Sequence, residues 1–212
     1  MLMSEAFTVD SGLLLWPTPA GAYYAVQSTK KDAASRYILQ LLAQQQTPVL
    51  DDTQLTLLDD DKELALNKLY HLQNMGYLQA IEAPVVYDKQ PLQEILPAML
   101  SKICSNGKAV LADEQGLYLS QVGFAHESAE ELSALSANLH AVQERHQKLL
   151  QNNLGINSSA WGLIDPVGNS QLGFWPLFFA VDKFTLILSG MPRFNHPSFV
   201  SIVARLAMRY SS

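Results

Sequence analysis

The chain predicts an α+β fold, a five-stranded antiparallel sheet sandwiched by helices, and three observations predict it. Residues 107–123, GKAVLADEQGLYLSQVG, read as two strands joined at Asp113-Glu-Gln-Gly116, where small apolar runs flank a cluster that tolerates turn geometry. Residues 127–150, ESAEELSALSANLHAVQERHQKLL, then carry leucines at helical spacing. Three further strand-like runs follow, SSAWGLIDPVG, FWPLFFAVDK and FTLILSG, and HPSFVSIVARLAMRY closes the unit as a helix. A meander interrupted by one long helix and ended by another places helices on both faces of an antiparallel sheet.

The elements before that unit form a smaller one. GLLLW and AYYAVQ read as two short strands around Pro17-Thr-Pro-Ala-Gly21. Ser28 or Thr29 is placed to cap a helix running to about Gln46, with Ala34, Tyr37, Ile38, Leu41 and Leu42 on one face and Pro48 as the stop. Asp60-Asp-Lys-Glu63 has the form of a capping box, and Ala65, Leu69, Leu72 and Met75 carry the next helix to Gly76. Tyr77–Ile81 then turns into a strand. Pro84 and the polar stretch Asp88–Pro91 mark a boundary, giving units at 1–84 and 85–212.

Residues 88–212 resemble the Roadblock/dynein light-chain family. The resemblance is carried by the aliphatic strand ending in an acid-x-x-Gly turn (Ala109 to Gly116), the Ser/Glu-rich start of the long helix, and FWPLFFAVDKFTLIL, with QPLQEILPAMLSKI as the family's first helix. It implies a homodimeric module that binds a small Ras-like GTPase or acts as a scaffold. Equivalent long helices in such dimers pack together and the middle strands pair edge to edge. The helix, middle segment, helix, Gly and strand before Pro84 resemble a winged helix-turn-helix over about 55 residues.

Composition bounds the function. At 212 residues and 48% hydrophobic content the chain has ample core for one large or two small domains. Met1–Asp10 carries an acid where a secretory leader carries Lys or Arg, and no window approaches the roughly 18 apolar residues of a membrane span. The expectation is a cytoplasmic protein. The net charge of −6 disfavours nucleic acid and anionic lipid, and residues 28–84 alone hold five basic against eight acidic side chains. A DNA reader needs Lys and Arg on phosphates, whereas the helix that would enter the groove begins Asp59-Asp-Asp61. Protein binding is therefore the expected role of the winged-helix-like unit, with a dimeric winged-helix transcription regulator as the alternative and a metabolite sensor as a third class.

No catalytic signature stands out. Asn106-Gly-Lys108 has the end of a P-loop, but Lys102 stands where the first Gly belongs and Ala109 replaces the magnesium-holding hydroxyl. The five histidines show no metal-ligand spacing, and Cys104, the single cysteine, sits in an apolar helical series. No cofactor, metal or catalytic residue is expected.

The long helix is the expected functional element. Leu132, Leu135, Leu139, Val142, His146 and Leu149 form a seam for a sheet or a partner helix. Ala134, Ala137 and Ala141 form a second face, small enough for another backbone to approach, and this face is the expected dimer interface. His146, which interrupts the seam, is expected to be hydrogen-bonded or half-exposed. Among the aromatics, Phe174, Trp175, Phe178 and Phe179 are expected to be mostly core, with Pro176 marking a bulge or an edge.

Overall fold

The computed structural model describes residues 12–210. The expected lack of a leader in Met1–Asp10 lies outside the described residues. Strand β1 (Leu14–Pro17) pairs antiparallel with β2 (Leu78–Ile81), Leu14 opposite Ile81 and Pro17 opposite Leu78.

The second strand expected at AYYAVQ is instead a helix, α1 (Pro19–Val26). Thr18 is extended, its Oγ1 accepts the Gly21 N–H at 3.1 Å, and Pro19 enters the first turn, where its missing N–H leaves no bond unmade. Ala22, Ala25 and Val26 are fully buried, a spacing of three and four that a strand cannot present to one side. Gly21 permits the close approach of α1 to β2, since a Cβ there would lie 2.1 Å from the Tyr77 carbonyl oxygen.

Helix α2 (Ala33–Leu42) is capped by Asp32 and not by Ser28 or Thr29. The Asp32 carboxylate accepts the Ser35 N–H at 2.7 Å and a hydrogen bond from the Tyr24 hydroxyl, so it is held in place from both sides. The helix stops short of Gln46 because the following backbone pairs elsewhere: Tyr87 N–H donates to Gln45 O and Thr47 N–H to Val85 O. A short helix the sequence did not reveal, α3 (Asp52–Thr56), is capped by Asp51, and α4 (Lys62–Asn74) is capped by Asp61, one residue later than expected. Met75 is the exposed C-cap of α4 and does not extend its apolar face.

The second half opens with α5 (Leu92–Leu100), which buries Leu92, Leu96 and Leu100. Strands β3 (Ala109–Asp113), β4 (Tyr118–Val122), β5 (Trp161–Ile164), β6 (Ser170–Phe178) and β7 (Lys183–Ser189) make one antiparallel sheet in the order β4-β3-β7-β6-β5. Helix α6 (His126–Arg145) lies over β3, β4 and β7, and α7 (Pro197–Tyr210) ends the described chain. On the face away from α6, Leu111, Leu177, Leu186 and Leu188 join α5, α7 and the helices α1 and α2 in one apolar core. The expected mixed α+β fold with a five-stranded antiparallel sheet is therefore present.

Strand β6 begins four residues before Phe174, because Leu172 and Gly173 already pair with both β5 and β7. Strand β5 starts opposite Phe174, so Pro176 lies where β6 has a neighbour on one side alone and no ladder bond is lost. The aromatic pairs divide between the faces as the pleat requires. Phe174 is buried beneath α6, whereas Trp175 meets Phe194 edge-on at 5.4 Å and Phe179 meets Phe184 at 5.7 Å on the other side.

One cation joins the two halves, and a second fixes the segment that follows the boundary. Lys31 Nζ donates to the carbonyls of Ala25 at 2.5 Å and Phe178 at 2.8 Å, and burial pushes its amine down to about 8. Arg205 of α7 stacks over the Tyr87 ring at 4.9 Å and pairs with Asp88. Its guanidinium holds the Asp88 carboxyl below its ordinary range.

Candidate interaction surface

The sheet side of α6 is made of small and polar residues, not of the leucine seam. Ala129, Ser133, Ser136 and His140 are buried, at helical spacing, against the layer formed by Val110, Ala112, Phe174 and Ile187. Burial of these polar groups is tolerated because each has a partner. Ser133 Oγ donates to Ala129 O and Ser136 Oγ to Ser133 O, both at 2.7 Å, and His140 Nε2 shares a 2.7 Å hydrogen bond with Thr185 Oγ1. Burial and the nearby Lys183 charge hold the His140 imidazole down to about 4, so it is neutral at physiological pH. The signal for this face was present as the stripe Ala129, Ser133, Ser136, His140, which hydropathy alone passes over.

With that face inward, the seam divides. Leu132 and Leu139 are half-buried along the flank toward Leu172 of β6, whereas Leu135 and Val142 point outward, 43% and 38% exposed. His146 is the exposed C-cap, and Leu149 lies beyond the α-helix in π-helical turns spanning Lys148–Asn153. Ala134 and Ala141 are exposed next to Leu135 and Val142. Ala137 is half-buried on the opposite flank, where the β3–β4 turn approaches. Gly116 takes φ +85° there, and a Cβ on it would sit 3.1 Å from Ala134 Cα and 3.4 Å from Ala137 Cβ.

The apolar surface continues from α6 onto the sheet edge. Trp161 and Leu163 of β5 stand opposite Phe174 and Leu172, which places them on the α6 side of the sheet. The Trp161 Nε1–H donates to Gln143 Oε1 at 2.9 Å, pinning the indole to the helix. Leu163 and Ile164 are 63% and 70% exposed, and among the described residues no strand lies beside the outer edge of β5. The hairpin tip is held firmly, since the Asp165 carboxylate accepts the Val167 and Asn169 N–H groups at 3.0 and 2.9 Å. The outcome is one apolar strip running from Leu135 and Val142 across Leu139 and Leu172 to Leu163 on an open edge.

The two lysines of α4 are each held by an acid, Lys62 by Asp52 and Lys68 by Asp59, both at 2.6 Å. Cys104 is buried, and burial pushes its thiol up. Among the described residues no group of three or more His, Cys, Asp or Glu side chains is arranged to hold a metal ion. No helix among them is long and apolar enough to cross a membrane.

No family model matches the chain, and no curated protein matches it. A solved structure, Myxococcus xanthus MglB, is similar over 58% of this chain and 88% of that one, with a TM-score of 0.29 and 14% identity.

Proposed function

We propose that this protein is a non-enzymatic scaffold or regulator that homodimerises through the outward face of α6 and the open edge of β5. The observation that carries the reading is the apolar strip joining those two elements. An unpaired strand edge beside exposed leucines is a surface that proteins ordinarily blunt, and here β5 carries no Lys and none of the described residues forms a covering strand.

A twofold axis over α6 would set Ala134, Leu135, Asn138, Ala141 and Val142 against the same residues of a second copy. An antiparallel arrangement also matches charge, because Glu127, Glu130 and Glu131 lie at the start of α6, Arg145 at its end and Lys148 just beyond it. Each acidic first turn would meet a basic last turn.

In this reading the two units, 1–84 and 85–212, divide the work. The C-terminal unit dimerises and receives a small Ras-like GTPase, a partner supported by the resemblance of residues 88–212 to the Roadblock family. The N-terminal unit, winged-helix-like, binds protein. Its α4 lysines are already paired with Asp52 and Asp59, which favours protein over DNA phosphate as its target. The site of action is the cytoplasm.

Sedimentation velocity over a range of protein concentrations tests the dimer, and titration with nucleotide-loaded Ras-like GTPases from the source cell tests the partner. A chain that sediments as a monomer at tens of micromolar would remove the basis of the proposal.

A further inference from the structure

A cleft of about 320 Å³ opens where the α1–α2 connection, the C-terminal end of α6 and the ends of β6 and β7 meet. It lies apart from the apolar strip, and its volume falls at the lower end of small-ligand pockets, roughly 300–1,000 Å³.

Its chemistry is unusual for so small a space. Primary amides converge on it from three segments: Gln27 from the connection, Gln143, Gln147 and Gln151 from α6 and its π-helical extension, and Asn157 from the loop beyond. The π-helical turns carry Gln151 into the wall, and such turns are frequent at functional sites. Part of the hydrogen-bonding capacity is spent inside the wall, where Gln147 Nε2 donates to Gln151 Oε1 at 3.2 Å and Asn157 Nδ2 to Gly155 O at 3.5 Å, and part is not. Among the described residues Gln143 uses its Oε1 on Trp161 and keeps both amide hydrogens, and buried His140 uses Nε2 on Thr185 and leaves Nδ1 without a partner.

Charge narrows the ligand. Lys183 and Glu144, the two ionised side chains of the lining, pair with each other at 3.3 Å, and His140 is neutral. A charged ligand would shed water here with no uncommitted counter-charge to replace it. An amide offers a donor and an acceptor side by side, and a hydroxyl does the same, so amides and neutral hydroxyls are matched. Phe178 supplies an apolar wall for the carbon skeleton.

We propose that this cleft binds an uncharged, polyhydroxylated small molecule of monosaccharide size. The ligand would touch the α1–α2 connection and α6 at once.

The test is an NMR titration of the full chain with D-glucose and with myo-inositol, following the His140 and Trp161 side-chain resonances. D-glucose 6-phosphate and D-glucosamine serve as charged counterparts. The expected result is saturable movement of both resonances with at least one neutral probe, weaker with its charged counterpart. Gln147→Leu combined with Gln151→Leu should weaken the response about tenfold or more, with the thermal unfolding midpoint unchanged. No saturable movement with either neutral probe at tens of millimolar overturns the proposal. So does tighter binding of a charged counterpart, or a response that survives the double variant.

Discussion

Replacing Leu135 and Val142 together with serine tests the proposed dimer where its energy is concentrated. Complete burial of a Leu or Val side chain contributes about 1.5–3 kcal/mol. The two side chains are 43% and 38% exposed in the single chain, so the part left to bury contributes about 1 kcal/mol each. Symmetry places both residues twice in one interface. The double variant should therefore lose about 4 kcal/mol of dimer stability, close to a thousandfold in Kd. On the same scale the monomer should lose about 1–2 kcal/mol per residue, for the part each side chain already buries, and stay folded. Sedimentation equilibrium reads the dissociation constant, and urea unfolding at concentrations where both proteins are monomeric reads the fold. Ala134→Arg provides an independent arm: Ala134 is exposed, so the added charge meets water in the monomer and a second helix in the dimer. An unchanged association constant in both variants, with the fold intact, would refute the assignment of this face. Loss of the fold in L135S/V142S would show instead that the two side chains carry intramolecular packing.

Three further outcomes follow from the interior. Gly21→Ala should destabilise by about 1–3 kcal/mol, as overpacking does, because its Cβ would come within 2.1 Å of the Tyr77 carbonyl oxygen and backbone has to move; chemical denaturation measures it. The His140 imidazole has its folded-state value held down to about 4, below the ordinary 6.5, so the unfolded chain binds the extra proton first. Its contribution is whole above 6.5 and is lost as pH falls through 4, at about 1.4 kcal/mol per unit; His140→Gln should flatten that part of the stability-versus-pH curve. The Cys104 thiol, buried and pushed up, should react with a thiol reagent at the rate of unfolding, and rapid labelling of the native protein would contradict its placement.

The sheet and its two flanking helices were legible in the sequence because their signals are local. Gly116 and Asp113 mark a turn wherever they fall, aliphatic runs such as Val110–Ala112 and Leu186–Leu188 read as buried strands, and the α7 periodicity is unbroken. Local signals failed where two segments compete for one partner. AYYAVQ is a short apolar run that can pass for a strand, yet Thr18 bonded to Gly76 and Gly21 pressed on Tyr77 belong to contacts nearly sixty residues away in sequence. The end of α2 was set by residues 85–87 in the same manner. The rotation of α6 was undecidable from hydropathy, because its leucines offered one apolar face and its serines and His140 another. Tertiary structure resolved it: Thr185 on β7 gives His140 a hydrogen bond, Ala129 O and Ser133 O satisfy the serines, and the small side chains let the helix lie close on the sheet. A satisfied polar face costs little to bury, and that is why Leu135 and Val142 are left on the outside.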